Sequence, residues 1–151
     1  MYTLKAVNIS KQSVKDLLVE LQESILTGDK PYPPTHGWWW ILYYYNTPVG
    51  FCGMVKSIKW YNCAYFCRSG IKSSHRGKGF QKKFIKVRIA KAKRLGLDWV
   101  VSDTYENPAS SNSFIATQFR LFKPTEPWGA DGTLYWRKEI TRGKHVRNIK
   151  R

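Results

Sequence analysis

Acidic residues are scarce in this sequence. Ten Asp and Glu stand against 26 Lys and Arg among 151 residues, a formal net charge of +16. So one-sided a charge points to a negatively charged partner such as a nucleic acid, a nucleotide cofactor or an anionic surface, with solubility as the plain alternative. The deficit is steepest between Lys72 and Arg94, where ten basic residues and no acidic one occur. Cysteine is rare too. Cys52, Cys63 and Cys67 are odd in number, and Cys63-x-x-x-Cys67 has no second ligand pair. No metal site is expected, and buried strand thiols in a reducing compartment are. Long apolar runs are missing. The longest, Trp38 to Tyr45, has eight residues, whereas a membrane helix takes about 20. Met1-Tyr2-Thr3-Leu4-Lys5 lacks the basic start and apolar core of a signal peptide. The chain therefore reads as cytoplasmic with no membrane partner. Internal repeats and low-complexity linkers are also absent.

What is present suits one packed domain. Hydrophobic residues make up 42% and aromatic residues 15%, which supports a core for residues 1–140, with a basic tail over 141–151. Tyr2 to Val7 reads as a strand. Ser10 or Ser13 can cap the helix carrying Val14, Leu17, Leu18, Leu21 and Ile25 on one face, with Gly28 as its stop. Pro31, Pro33 and Pro34 make Asp29 to Gly37 a loop. Trp38–Tyr45, Val49–Trp60 and Cys63–Ile71 read as an antiparallel meander, the first covered on both faces. Phe80 to Leu95 is the strongest helix, with Phe84, Ile85, Ile89, Ala92 and Leu95 on one face and lysines opposite. Leu97–Ser102 is a strand, Ser110–Gln118 a short helix, and Phe119–Phe122 and Thr133–Ile140 are final strands. The order β-α-β-β-β-α-β-α-β-β predicts an α/β (α+β) fold with a mixed, mostly antiparallel sheet and flanking helices.

The segment that carries chemistry is Ile71-Lys72-Ser73-Ser74-His75-Arg76-Gly77-Lys78-Gly79-Phe80-Gln81, which leaves a strand and enters a helix. Two glycines let the backbone curl, and the first helical turn offers unpaired N–H groups with a partial positive charge. Such a nest fits a pyrophosphate. The P-loop string is absent, and a Rossmann fingerprint fails because Lys82 stands where its third glycine belongs. Alone, the glycine pair is equally a tight strand-to-helix turn. Opening into an acid-free stretch, it points to an anion.

From Tyr2 to Ile140 the sequence resembles the GNAT N-acetyltransferase superfamily, and a small bacterial branch of it in particular. The family's R/Q-x-x-G-x-G/A is met at Arg76 and Gly79, with Gln81 in place of the last Gly or Ala. Its N-x-x-A-x-x-x-Y-x-x-x-G-F spacing is met at Asn107 and Phe119, with Ser110 a mild change, Phe114 at the tyrosine and Gln118 at the glycine. The resemblance implies acetyl-CoA as co-substrate, its pyrophosphate on Arg76, Gly77, Lys78, Gly79, Phe80 and Gln81. It implies a splayed strand pair, Cys63–Ile71 and Leu97–Ser102, with pantetheine between them. It places Ser69, Gly70 and Ile71 by the thioester and Asn107, Ser110 and Phe114 along the coenzyme. Ser69 and Gly70 are equally readable as a bulge.

Phe114 has no hydroxyl, so the usual acid is missing from its usual place. Tyr105 is a substitute, and Asp103 and Glu106 are candidates for taking the amine's proton through water. Each is also readable as an ordinary loop residue. His75 reads as phosphate-side or exposed. A free α-amine has a pKa of about 7.7–8.0 against about 10.4 for lysine, so an α-amine needs less help to react. The expected function is acetyl transfer to a primary amine on a protein N-terminus, an aminoacyl-tRNA or another nucleic-acid-linked carrier, by a monomer or homodimer. The alternative is a basic nucleic-acid-binding module on the same fold without catalysis.

Overall fold

Strands β1 (Tyr2–Val7), β2 (Trp38–Tyr44) and β3 (Thr47–Lys56) form an antiparallel meander in a computed structural model that describes residues 1–141. Helix α1 (Gln12–Ile25) lies between the first two in sequence. After β4 (Cys63–Ile71), a 3-10 turn at Ser73–His75 leads to α2 (Phe80–Arg94), then β5 (Trp99–Thr104), α3 (Pro108–Ala116), β6 (Arg120–Phe122) and β7 (Leu134–Glu139). The strands form one sheet in the order β1-β2-β3-β4-β5-β7-β6. The β4–β5 pairing is parallel, and the β1–β2, β2–β3, β5–β7 and β6–β7 pairings are antiparallel. The α/β fold with a mixed, mostly antiparallel sheet expected from the sequence is the fold observed. All but the first residue of the basic tail lies outside the described residues.

The chain groups into two compact units, Met1–Val55 with Cys67–Phe84, and Lys56–Phe66 with Ile85 onward. In the first, Leu18 and Leu21 of α1 pack with Trp39, Ile41 and Phe51. Burying one such side chain contributes about 1.5–3 kcal/mol. Four successive residues of β2, Trp39 to Leu42, are buried, so that strand is covered on both faces, as its composition foretold.

In the second unit, Cys63, Ala64 and Tyr65 register with Trp99, Val100 and Val101. One step on, the Ser102 hydroxyl donates to the Phe66 carbonyl at 2.9 Å, so a side chain rather than the neighbouring strand's N–H serves it. This is where the ladder opens. One sheet face carries Phe66, Thr104 and Trp136. Against it lie Arg88 of α2, centred 4.3 Å from the Phe66 ring, and Phe114 of α3, stacked on Trp136. By strand alternation the other face carries Tyr65, Trp99, Val101, Asp103, Tyr135 and Arg137.

Several local expectations change. Neither serine caps α1: its N-cap is Lys11, and the Ser10 hydroxyl bonds Asn8 Oδ1 instead, the local competition such side chains offer. Leu95 is exposed rather than on the buried face of α2. Leu97 precedes β5; its N–H donates to the Ala92 carbonyl and its side chain is buried, closing the end of α2. Among the described residues, no helix is long and apolar enough to cross a membrane.

Candidate functional site

In the first unit the turn after β4 is braced from within. Arg76 Nε donates to the Ile71 carbonyl at 2.9 Å. Tyr2 and His75 share a 2.7 Å hydrogen bond, and the Tyr44 and Phe80 rings lie against that pair. His75 is half-buried rather than exposed, and anchors the turn. Local pattern carries no sign of it, because its partners lie on β1 and β2.

From Arg76 to Gly79 the chain is exposed. Gly77 and Gly79 have φ of +79° and +81°, and a Cβ built on either meets no protein atom within 4 Å. These glycines are therefore required by their dihedral angles, and the space over them is open. The first main-chain bond of α2 runs from Lys83 N–H to the Gly79 carbonyl. The amides of Phe80, Gln81 and Lys82 thus lie outside the helical ladder, and no acid stands in that first turn. The Gln81 side chain is turned aside, accepting from the Ser69 hydroxyl at 3.4 Å. A curled, uncovered row of amides with unopposed positive charge can hold an anion.

The preceding strand is irregular. Cys67 packs against the α1 core, and Arg68 Nη1 also turns to that side, donating to Gln22 Oε1 at 2.8 Å and to the Lys30 carbonyl at 2.7 Å. Two successive side chains on one face break strand alternation, the geometry of a β-bulge. The bulge that the sequence offers as an alternative at Ser69 and Gly70 falls instead at Cys67 and Arg68. Gly70 has a different reason: a Cβ there would sit 2.5 Å from Ile25 Cγ2. Gly70→Ala is therefore expected to lose about 1–3 kcal/mol by overpacking against α1, read as a lower urea midpoint with an unchanged slope. Local pattern does not reveal the partners of Arg68, which come from α1 and the loop after it. They include Tyr32, whose ring lies 4.6 Å from the guanidinium carbon and whose hydroxyl is pushed up to about 12, chiefly by burial.

In the second unit Asp103 sits in β5 rather than in a loop, and is half-buried. Its Oδ2 accepts from the Tyr65 hydroxyl at 2.7 Å and from Trp128 Nε1 at 2.6 Å. Both bonds fall on one oxygen and fix the carboxylate plane. Tyr105 and Glu106 are exposed in the turn that follows, Glu106 with φ of +48°. Asn107 caps α3: its Oδ1 accepts from the Ser110 N–H at 3.1 Å, with Pro108 in the first turn. Phe114 is buried between Trp136 and Phe119. Tyr65 and Trp128 went unnoticed in the sequence, since only the strand register and the turn before β7 bring them to Asp103. The Cys63 thiol is pushed up to about 12 by burial, as an inert strand thiol should be.

Residues 12–115 match the profile of the Acetyltransferase (GNAT) family. The chain belongs to that family. The match includes both the glycine turn and Phe114. The GNAT fold recurs in solved structures. An acetyltransferase of the GNAT family from Staphylococcus aureus Mu50 has a TM-score of 0.72 at 17% identity, over 93% of this chain and 99% of that one. A Salmonella typhimurium acetyltransferase solved with its cofactor acetyl-CoA has a TM-score of 0.72 at 10% identity, over 93% and 94%. The ribosomal-protein-S18-alanine N-acetyltransferase of Escherichia coli has a TM-score of 0.70 at 9% identity, over 93% and 94%. No sequence of curated function matches the chain. This GNAT protein is thus an N-acetyltransferase of a family that draws on acetyl-CoA.

Proposed function

We propose that the enzyme acetylates a primary α-amine, with acetyl-CoA held at its pyrophosphate by the main-chain amides of Arg76 to Gln81. The observation that carries this is the open turn: two glycines at positive φ with no protein atom over them, feeding a helix start without acids. A side chain plugging that turn would have favoured the non-catalytic alternative.

The bound coenzyme supplies an acetyl thioester. The chain's own part is to place it, to meet the developing oxyanion and to take a proton. Irregular β4 is suited to the second task, because a bulge leaves main-chain amides unpaired by the ladder. Amides among Ser69, Gly70 and Ile71 fill that role in this reading, with Asn107, Ser110 and Phe114 along the coenzyme. Asp103, oriented by Tyr65 and Trp128, takes the amine's proton through water. Phe114, packed into the core, offers no acid. The leaving thiolate therefore takes its proton from solvent or from Tyr105. An acceptor of low pKa suits a site without a strong base, which favours α-amines over lysine side chains. The acceptor's carrier is anionic in this reading, to match a net charge of +16.

Calorimetry with acetyl-CoA, then thiol release with a panel of α-amines and lysine amines, tests both halves. Saturable heat and faster turnover with α-amines are expected. No heat with acetyl-CoA removes the cradle, and turnover with lysine side chains alone removes the acceptor class.

A further inference from the structure

The sheet face of the second unit opposite Phe66 and Trp136 holds a groove of about 250 Å³, lined by Trp60, Tyr61, Cys63, Trp99, Val101 and Arg137 among others. That is at or below the small end for a whole ligand, and suits one planar group. Its walls are flat. Arg137 lies 5.5 Å from the Trp99 ring and 4.7 Å from the Phe122 ring, and Lys59 lies 5.9 Å from Trp128. Trp60 contacts Phe122 and Trp128. Tyr61 is 94% exposed at the tip of a turn. Ser57 fixes that turn by accepting the Lys59 and Trp60 amides at 3.2 and 3.1 Å.

Charge supplies the second observation. Arg120 and Arg137 stand directly opposite each other on β6 and β7, and both are exposed. Like charges opposite each other in a sheet are destabilising unless something negative lies between them. Of the carboxylates on these strands, Asp103 is engaged by Tyr65 and Trp128, and Glu139, on the same face two residues from Arg137 and in register with Trp99, offsets part of the charge at the edge of the groove.

We propose that this face is a docking surface for single-stranded RNA, bases stacking on Tyr61, Trp60 and Trp99 and phosphates lying on Arg137, Arg120 and Lys59. Alternating rings and cations are the means by which proteins hold single strands. An acidic peptide would use the cations and leave the slot between the rings empty. RNA is chosen over DNA because the reaction needs an α-amine, and an aminoacyl ester on an RNA end provides one. In that respect the inference rests on the acceptor class proposed above and deepens it.

The test is fluorescence anisotropy of a labelled oligouridylate of about 12 nucleotides, with oligothymidylate and polyglutamate as competitors, between about 50 and 200 mM salt. Tyr61→Ala, at a site too exposed to disturb folding, should bind roughly tenfold more weakly with an unchanged salt slope, the signature of a lost stack. Arg120→Gln with Arg137→Gln should lower the salt slope by about 1.4, roughly 0.7 for each lost phosphate contact on a single strand. Acetyl-CoA heats should match the parent in both variants. The proposal is overturned if both variants bind RNA like the parent, if polyglutamate displaces the RNA as well as cold RNA does, or if oligothymidylate binds more tightly. Failure of acetyl-CoA binding in the parent sinks the enzymatic reading instead, so the two failures are told apart.

Discussion

Gly79→Ala is expected to lower the affinity for acetyl-CoA by about tenfold or more, equivalent to about 1.4 kcal/mol. The new methyl meets no protein atom within 4 Å, so within the fold it costs only the left-handed conformation, about 1–2 kcal/mol for an L-residue. In a chain of this size that lowers Tm by a few degrees. Toward a ligand on the turn the same methyl occupies ground a phosphate oxygen needs. Gly96→Ala is the matched control. Gly96 has φ of +75° and equally open space around its Cβ position, but it lies past the far end of α2. It should lose similar stability and keep full affinity. Equal calorimetric affinities for the Gly79 and Gly96 variants would remove phosphate from the turn.

Asp103→Asn is expected to lower kcat by about 10²–10⁴, the usual worth of a positioned proton acceptor, with acetyl-CoA affinity and Tm close to the parent. The amide keeps an oxygen where Tyr65 and Trp128 donate, so the surroundings stay satisfied. Asp103→Ala, by contrast, strands both donors and should cost about 1–3 kcal/mol of stability. The residual rate of the Asn variant should climb with pH as the acceptor amine loses its own proton. An Asn variant with parental kcat would mean that Asp103 only ties β5 to Tyr65 and Trp128. Glu106→Gln and Tyr105→Phe then become the variants to examine.

Much of this arrangement is legible in the sequence where one residue type has one use. Strands β1 and β4 fall within their expected limits, because alternation and flanking turns leave few options. The turn itself is readable too: two glycines two residues apart between a strand and a basic helix mark a tight bend, and both take positive φ. Residues with two uses misled. Leu97 reads as the start of a strand but serves the end of a helix. Ser10 reads as a cap but bonds Asn8. What could not be read at all were partnerships across register: Tyr2 with His75, Arg68 with Gln22, Tyr65 and Trp128 with Asp103. These depend on which strands lie side by side, and local pattern carries no information about that.

The irregularity in β4 has a practical consequence. Cys52 and Cys63 are sealed in the interior, whereas Cys67, where alternation breaks, is only half-buried. A maleimide dye added to the unaltered protein will therefore react first at Cys67, beside Tyr32 and Arg68. The surroundings of that strand can be followed by fluorescence without engineering a single codon.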